Sequence, residues 1–168
     1  MFYLFAMIRD NKSYRRENKM KIQTKIAVLL VGLWANTSLF AQDISGLWQQ
    51  IDDKSGENKA QILLKKDSNN LYTGTIVKIN PRPGYTPKQL CTDCPAPYTN
   101  KPILGMNIIT GLKFIKDKDY DQGQILDPAT GKIYQLKAKL NQNGKMLRLR
   151  GYIGTSALGR SQTWIRLE

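Results

Sequence analysis

From Ile133 to Leu140 the chain alternates. Tyr134, Leu136, Ala138 and Leu140 fall on one side, Gln135, Lys137 and Lys139 on the other. A period of two separates the faces of a pleated strand and does not fit a helix. The same rhythm returns on either side. Lys145 to Ile153 sets Leu147, Leu149, Gly151 and Ile153 against Arg148, Arg150 and Tyr152. Arg160 to Leu167 sets Thr163, Ile165 and Leu167 against Gln162, Trp164 and Arg166. Upstream, Gly46–Ile51 is a short strand, and Lys59–Lys65 shares Ala60, Ile62 and Leu64 on one face. Leu71–Ile79 gathers Leu71, Thr73, Thr75, Val77 and Ile79 on one side and is rich in β-branched residues, which suit a pleated surface. A short strand at Met106–Thr110 and another at Tyr120–Leu126 complete the series.

The connections carry turn chemistry. DDKSGEN at 52–58, DSNN after Lys66, DPATGK at 127–132 and NQNG at 141–144 supply Asp, Asn, Ser, Gly and Pro where the chain must reverse. About eight adjacent antiparallel strands make an up-and-down barrel or a sandwich, and the spacing favours the barrel. Such a tube holds side chains or one small ligand. The expected class is all-β, a single antiparallel barrel over residues 42–168.

The N-terminal segment has a different character. Residues 1–19 are a short apolar patch followed by mixed charge, read as an upstream mis-start. Met20 opens a second text, with Lys21 and Lys25, an apolar run from Ile26 to Trp34, and small residues ending at Ala41. That is the layout of a secretory signal peptide, cleaved near Ala41. The run is far short of the roughly 18 residues that span a bilayer, so the mature protein is expected to have no transmembrane segment. No cysteine adjoins it to carry a lipid anchor. The protein is therefore expected in the periplasm or outside the cell.

Export bears on Cys91 and Cys94, the only two cysteines. Thiols pair in oxidising compartments. Zinc wants four ligands, and the chain has no histidine, so a metal site would need Asp93 or a second chain. A thioredoxin-like site wants its first cysteine at a helix N-terminus. Here six of the seven prolines crowd residues 80–102, which reads as a long loop. A local disulfide lacing that loop is the favoured reading, with redox chemistry and zinc as alternatives. The absence of histidine also excludes serine–histidine and cysteine–histidine catalysis. The formal net charge is +13, and most of it stays with residues 42–168. Such a balance favours anionic partners. The lysines are scattered, and an exported protein rarely meets nucleic acid, so none is expected as a partner.

GLWQQIDDKSG, the paired-cysteine loop, ILGMNII, GQILDPATGKIY, LRLRGYIG and LGRSQTWIRL occur in that order. Together they resemble the domain-of-unknown-function family 2147, small exported bacterial proteins, over nearly all of residues 44–168. The resemblance implies one lipocalin-like β domain and brings no catalytic residues. Gly46-Leu47-Trp48 is also similar to the Gly-x-Trp opening of the lipocalins. That resemblance implies an arginine packed over Trp48 at the closed barrel end, with Arg166 or Arg160 in the part.

Arg148, Arg150, Tyr152, Trp164 and Arg166 fall on what reads as one face of two neighbouring strands. Pointing inward it would be a basic, aromatic pocket. Pointing outward it would be a partner surface, with Leu147, Leu149 and Ile153 in the core. The second arrangement is favoured, since buried arginines need partners. Asp127 reads as a turn former. Asp117, Asp119 and Asp121 alternate, but they lack the glycine and terminal glutamate of a calcium loop. The expected function is non-enzymatic and cofactor-free. It is the binding of a small apolar or anionic amphiphilic molecule, or an envelope component, in a barrel mouth beneath the 80–102 loop. A surface interaction module and a thiol oxidoreductase at Cys91 and Cys94 are the alternatives.

Overall fold

The computed structural model describes residues 43–168 apart from Lys54, Arg82 and Tyr85. The expected mis-start, signal peptide and cleavage point therefore lie outside the described residues. Eight strands follow in order: β1 (Gly46–Ile51), β2 (Asn58–Lys66), β3 (Leu71–Ile79), β4 (Asn107–Lys116), β5 (Asp119–Asp127), β6 (Lys132–Leu140), β7 (Met146–Tyr152) and β8 (Gly159–Arg166). Each pairs antiparallel with the next, and β1 also pairs with β8, so the sheet closes into a barrel with no free edge. A single turn of 3-10 helix, Ser156–Leu158, precedes β8.

Register decides which side chains line the tube. Trp48 stands opposite both Ile62 and Arg166, Leu147 opposite Trp164, Ala138 opposite Leu149, and Tyr72 opposite Leu112. These residues form the interior, and all but Arg166 are buried. The alternation of β6 puts Leu136, Ala138 and Leu140 inside as the sequence predicts.

Three strands depart from expectation. On β3 the buried residues are Tyr72, Gly74 and Ile76, so most of the Leu71–Val77 set faces out. A bulge facing Gln61/Ile62 then brings Ile79 back inside, opposite Ala60. Gly74 is required there. A Cβ on it would lie 2.9 Å from Leu64 Cδ2 and 3.0 Å from Ile109 Cβ, so glycine lets two large residues fill the interior. On β8 the inner set is Gln162, Trp164 and Arg166, not Thr163, Ile165 and Leu167. Ile153, expected in the core, lies beyond the end of β7 and is 61% exposed. β4 runs well past the expected Thr110, because Gly111 at φ 68° makes an irregularity that pairing tolerates.

The two ends of the barrel have different connections. The β2–β3, β4–β5 and β6–β7 hairpins lie at one end with the chain segments before β1 and after β8. The other end carries the β1–β2, β5–β6 and β7–β8 connections and the 80–106 loop.

Candidate functional site: the two ends of the barrel

The sealed end is built around Trp48. Arg166 is the last residue of β8, where register brings it beside Trp48 of β1. Its guanidinium lies 4.3 Å from the indole ring, in cation–π range. It donates to the carbonyl oxygens of Gly144 (2.7 Å), Ser45 (2.6 Å) and Asp43 (2.5 Å). One side chain thereby ties a hairpin to the segment entering β1. Burial draws the Arg166 pKa below its usual value, while the Asp43 charge works the other way. The Trp48 indole N–H donates to the Ile44 carbonyl (2.9 Å), and Ile44 is fully buried as a plug. Tyr72 donates its hydroxyl to the Asp43 carboxylate (3.1 Å) and stacks edge-on with Tyr120, ring centroids 5.4 Å apart. Burial, then the Asp43 charge, push the Tyr72 hydroxyl well above its usual pKa, and burial also raises that of Tyr120. Gly46 explains the first letter of the Gly-x-Trp motif. It sits at φ 126°, and a Cβ there would collide with the Glu168 carbonyl.

Arg160 does not share this work. It is at the opposite end, opposite Gly151 and 3.6 Å from Asp53. Since the two arginines lie on one inner face six positions apart, β8 carries one to each end of the tube.

The mouth is the less finished half. By register Gln50, Ile79, Ile125, Tyr134 and Gln162 point inward, yet all five remain partly solvent-reachable. Gln50 Nε2 donates to Gln162 Oε1 (3.0 Å), an amide pair on the inner wall. A Cβ on Gly151 would find only ordinary contacts, 3.5 Å to Tyr134 and 3.6 Å to Ile125, so that position leaves room. Trp164, the register partner of Gln50, is fully buried, and its indole N–H has no hydrogen-bond partner among the described residues.

Trp164 therefore does not belong with Arg148, Arg150 and Tyr152. It lines the tube, whereas those three point outward from β7. Arg150 holds the β7–β8 connection through the carbonyls of Ser156 (2.6 Å) and Ala157 (3.0 Å). Lys137 lies over the Tyr152 ring at 5.3 Å.

The cysteine loop is a lashed structure beside the mouth. Cys91 and Cys94 are disulfide-bonded and buried. Cys91 N–H donates to Lys101 (2.9 Å), and Ile103 N–H to Gln89 (2.9 Å). Cys91 Sγ lies 3.6 Å from the Pro128 carbonyl, and Lys88 Nζ reaches Ala129 O at 3.5 Å. The loop thus leans on the β5–β6 turn. Beside that turn Leu126 is buried although its neighbour Ile125 points inside. The loop shapes the flank of the mouth, and no helix starts at either cysteine.

The acidic residues serve turns. Asp127 accepts from Ala129 N–H (3.0 Å) and Thr130 Oγ1 (3.0 Å). Asp119 pairs with Lys139 at 2.9 Å, and Asp121 accepts from the Gln122 N–H at 2.7 Å. Among the described residues no group of three or more acidic or cysteine side chains is placed to hold a metal ion. Outside the tube an open groove of about 580 Å³ runs past Gln49, Asn58, Gln61, Lys78 and Asn80. Gln49 is pinned there, donating to Ala60 O (2.9 Å).

Sequence reasoning missed Asp43, Ile44, Tyr72 and Tyr120 at the sealed end, and Gln50, Tyr134, Gly151 and Gln162 at the mouth. Strand parity counted from Trp164 inward would have found Gln162. Asp43 and Ile44 precede the first strand and carry no periodic signal.

A family model described as "Uncharacterized protein conserved in bacteria (DUF2147)" matches residues 46–166. No curated protein matches the chain. Among solved structures, protein HP1028 from Helicobacter pylori, described as belonging to the lipocalin family, is similar in fold. It shares 19% identity, covers 75% of this chain and 84% of its own, and superposes with a TM-score of 0.62.

Proposed function

From the premise that this chain belongs to the DUF2147 family of uncharacterized bacterial proteins, we propose that it is an exported, non-enzymatic barrel that binds a small amphiphilic molecule in its mouth. The observation that carries the reading is the contrast along the interior. Apart from Arg166, the inward residues around Trp48 are buried, whereas inward Gln50, Ile79, Ile125, Tyr134 and Gln162 are partly solvent-reachable. A tube plugged at one end only accepts a ligand from the other. Ile79 and Ile125 offer apolar wall, and the Gln50–Gln162 amides offer polar contacts, the combination that small-molecule sites use. Arg160 at the rim suits an acidic head group. The lipocalin-like fold and the signal-like layout of residues 20–41 support the same reading.

The test uses the fluorescent amphiphile 1-anilinonaphthalene-8-sulfonate with the full chain and its Gly151→Phe variant. A Cβ on Gly151 meets only ordinary contacts and the residue faces the mouth, so the variant should keep the β-sheet spectrum and lose most of the probe signal. Equal binding by both proteins, or none by either, would sink the mouth as the site. Native mass spectrometry of the protein after mild purification should then show a retained small molecule on the parent and not on the variant.

A further inference from the structure

Every charged residue from Lys132 to Leu167 is a lysine or an arginine. This stretch supplies β6, β7 and β8, three neighbours in the barrel, so it forms one continuous wall with no acidic side chain of its own. On the outer face Lys137 stands opposite Arg150, and Lys139 opposite Arg148. Like charges directly across a ladder work against the sheet. Part of that repulsion is relieved. Lys139 meets Asp119 on β5, and Arg150 is folded onto backbone carbonyls. Arg148 is exposed and has no hydrogen-bond or ion-pair partner among the described residues. Next to it on the same face, Met146 and Ile165 form a cross-strand pair, 45% and 37% exposed.

We propose that this wall docks the protein on a bilayer surface containing anionic phospholipid. Lipid phosphates complement Lys137, Arg148 and their neighbours, and attraction of that kind is short-ranged and salt-sensitive. The apolar pair decides between partners. Met146 and Ile165 can enter the head-group region of a bilayer, as the apolar face of an interfacial element does. A soluble polyanion would leave them in water. The wall lies outside the tube, so docking leaves the mouth accessible.

The experiment is sedimentation of the full chain with vesicles of phosphatidylcholine alone and of phosphatidylcholine with phosphatidylglycerol. Residues 1–41 are common to every variant, so the contrast between variants isolates the wall. The parent should bind the anionic vesicles. Lys137→Glu/Arg148→Glu should bind them about tenfold or more weakly, from a few-fold per basic side chain near a charged surface. Lys137→Gln/Arg148→Gln should fall between the two, with an unchanged circular dichroism spectrum. Met146→Ser/Ile165→Ser should lose the fraction that survives high salt. Charge-reversed protein that binds as well as the parent overturns the assignment. So does unchanged binding by the Met146/Ile165 variant, and so does a parent that ignores vesicles but binds dextran sulfate.

Discussion

The two ends of this barrel are made by the same eight strands and finished in opposite ways. At the sealed end three side chains have fixed partners: three carbonyls for Arg166, one for Trp48 Nε1, a carboxylate for the Tyr72 hydroxyl. At the mouth the inner amides of Gln50 and Gln162 satisfy each other only in part, and the rim ion pair of Arg160 and Asp53 is loose at 3.6 Å. A charged group drawn partly out of water needs hydrogen-bond partners, and three carbonyls supply them to part-buried Arg166. A group kept wet has no such demand and can serve a ligand. Stability should therefore concentrate at one end and adaptability at the other.

The largest effect expected from breaking this contrast is at Trp48. Trp48→Ala removes a fully buried indole, the platform for Arg166 and the bond to Ile44. It should cost about 3–5 kcal/mol in urea unfolding, with an unchanged denaturant slope. A loss below about 1 kcal/mol would mean that the seal does not hold the barrel together.

The next effect is a pH dependence. Tyr72 and Tyr120 have folded pKa values raised above the ordinary tyrosine value, chiefly by burial, with the Asp43 charge adding to it. A raised folded pKa means that the native state keeps its proton while the unfolded chain loses it. Their contribution is whole below the unfolded pKa near 10. The contribution of Tyr72 declines above that by about 1.4 kcal/mol per pH unit, and that of Tyr120 falls in the same direction. Tyr72→Phe should flatten the fall between pH 10 and 11. An identical alkaline slope in parent and variant would break the link between this ring and the seal.

How far the sequence foretells these two ends follows from strand parity. β6 is legible because its inner face is wholly apolar and its outer face wholly polar beyond Tyr134. β8 is misleading because its inner face carries Gln162 and Arg166, one at the mouth and one at the seal. The residues that do specific work are the ones that spoil the hydrophobic alternation. β3 is misread for a related reason: its inner face includes Gly74, which contributes space, and a bulge shifts the count before Ile79. The Gly-x-Trp motif points correctly to an arginine at the sealed end, but choosing Arg166 over Arg160 needs the β1–β8 register. The cysteine loop is readable as a disulfide-laced connection, while its seat against the β5–β6 turn depends on contacts distant in sequence.

The smallest effect comes from the second tryptophan, and it sharpens the comparison most. Trp48 and Trp164 are both fully buried, so burial alone predicts similar sensitivity. Their polar atoms differ: Trp48 Nε1 has the Ile44 carbonyl, and Trp164 Nε1 has no partner among the described residues. Leaving a buried donor unmatched costs about 1–3 kcal/mol, which a phenyl ring does not incur. Trp164→Phe loses some apolar area but also removes that penalty, so its net change should lie within about 1 kcal/mol of zero. Trp48→Phe loses area and a made hydrogen bond, and weakens the stack with Arg166. It should be the more destabilising of the two by about 1–2 kcal/mol in the same urea titration. If the order is reversed, the Trp164 N–H has an unseen partner in solution. Its place opposite Gln50 and two residues from Gln162 would then make water or a bound ligand in the mouth the first candidate.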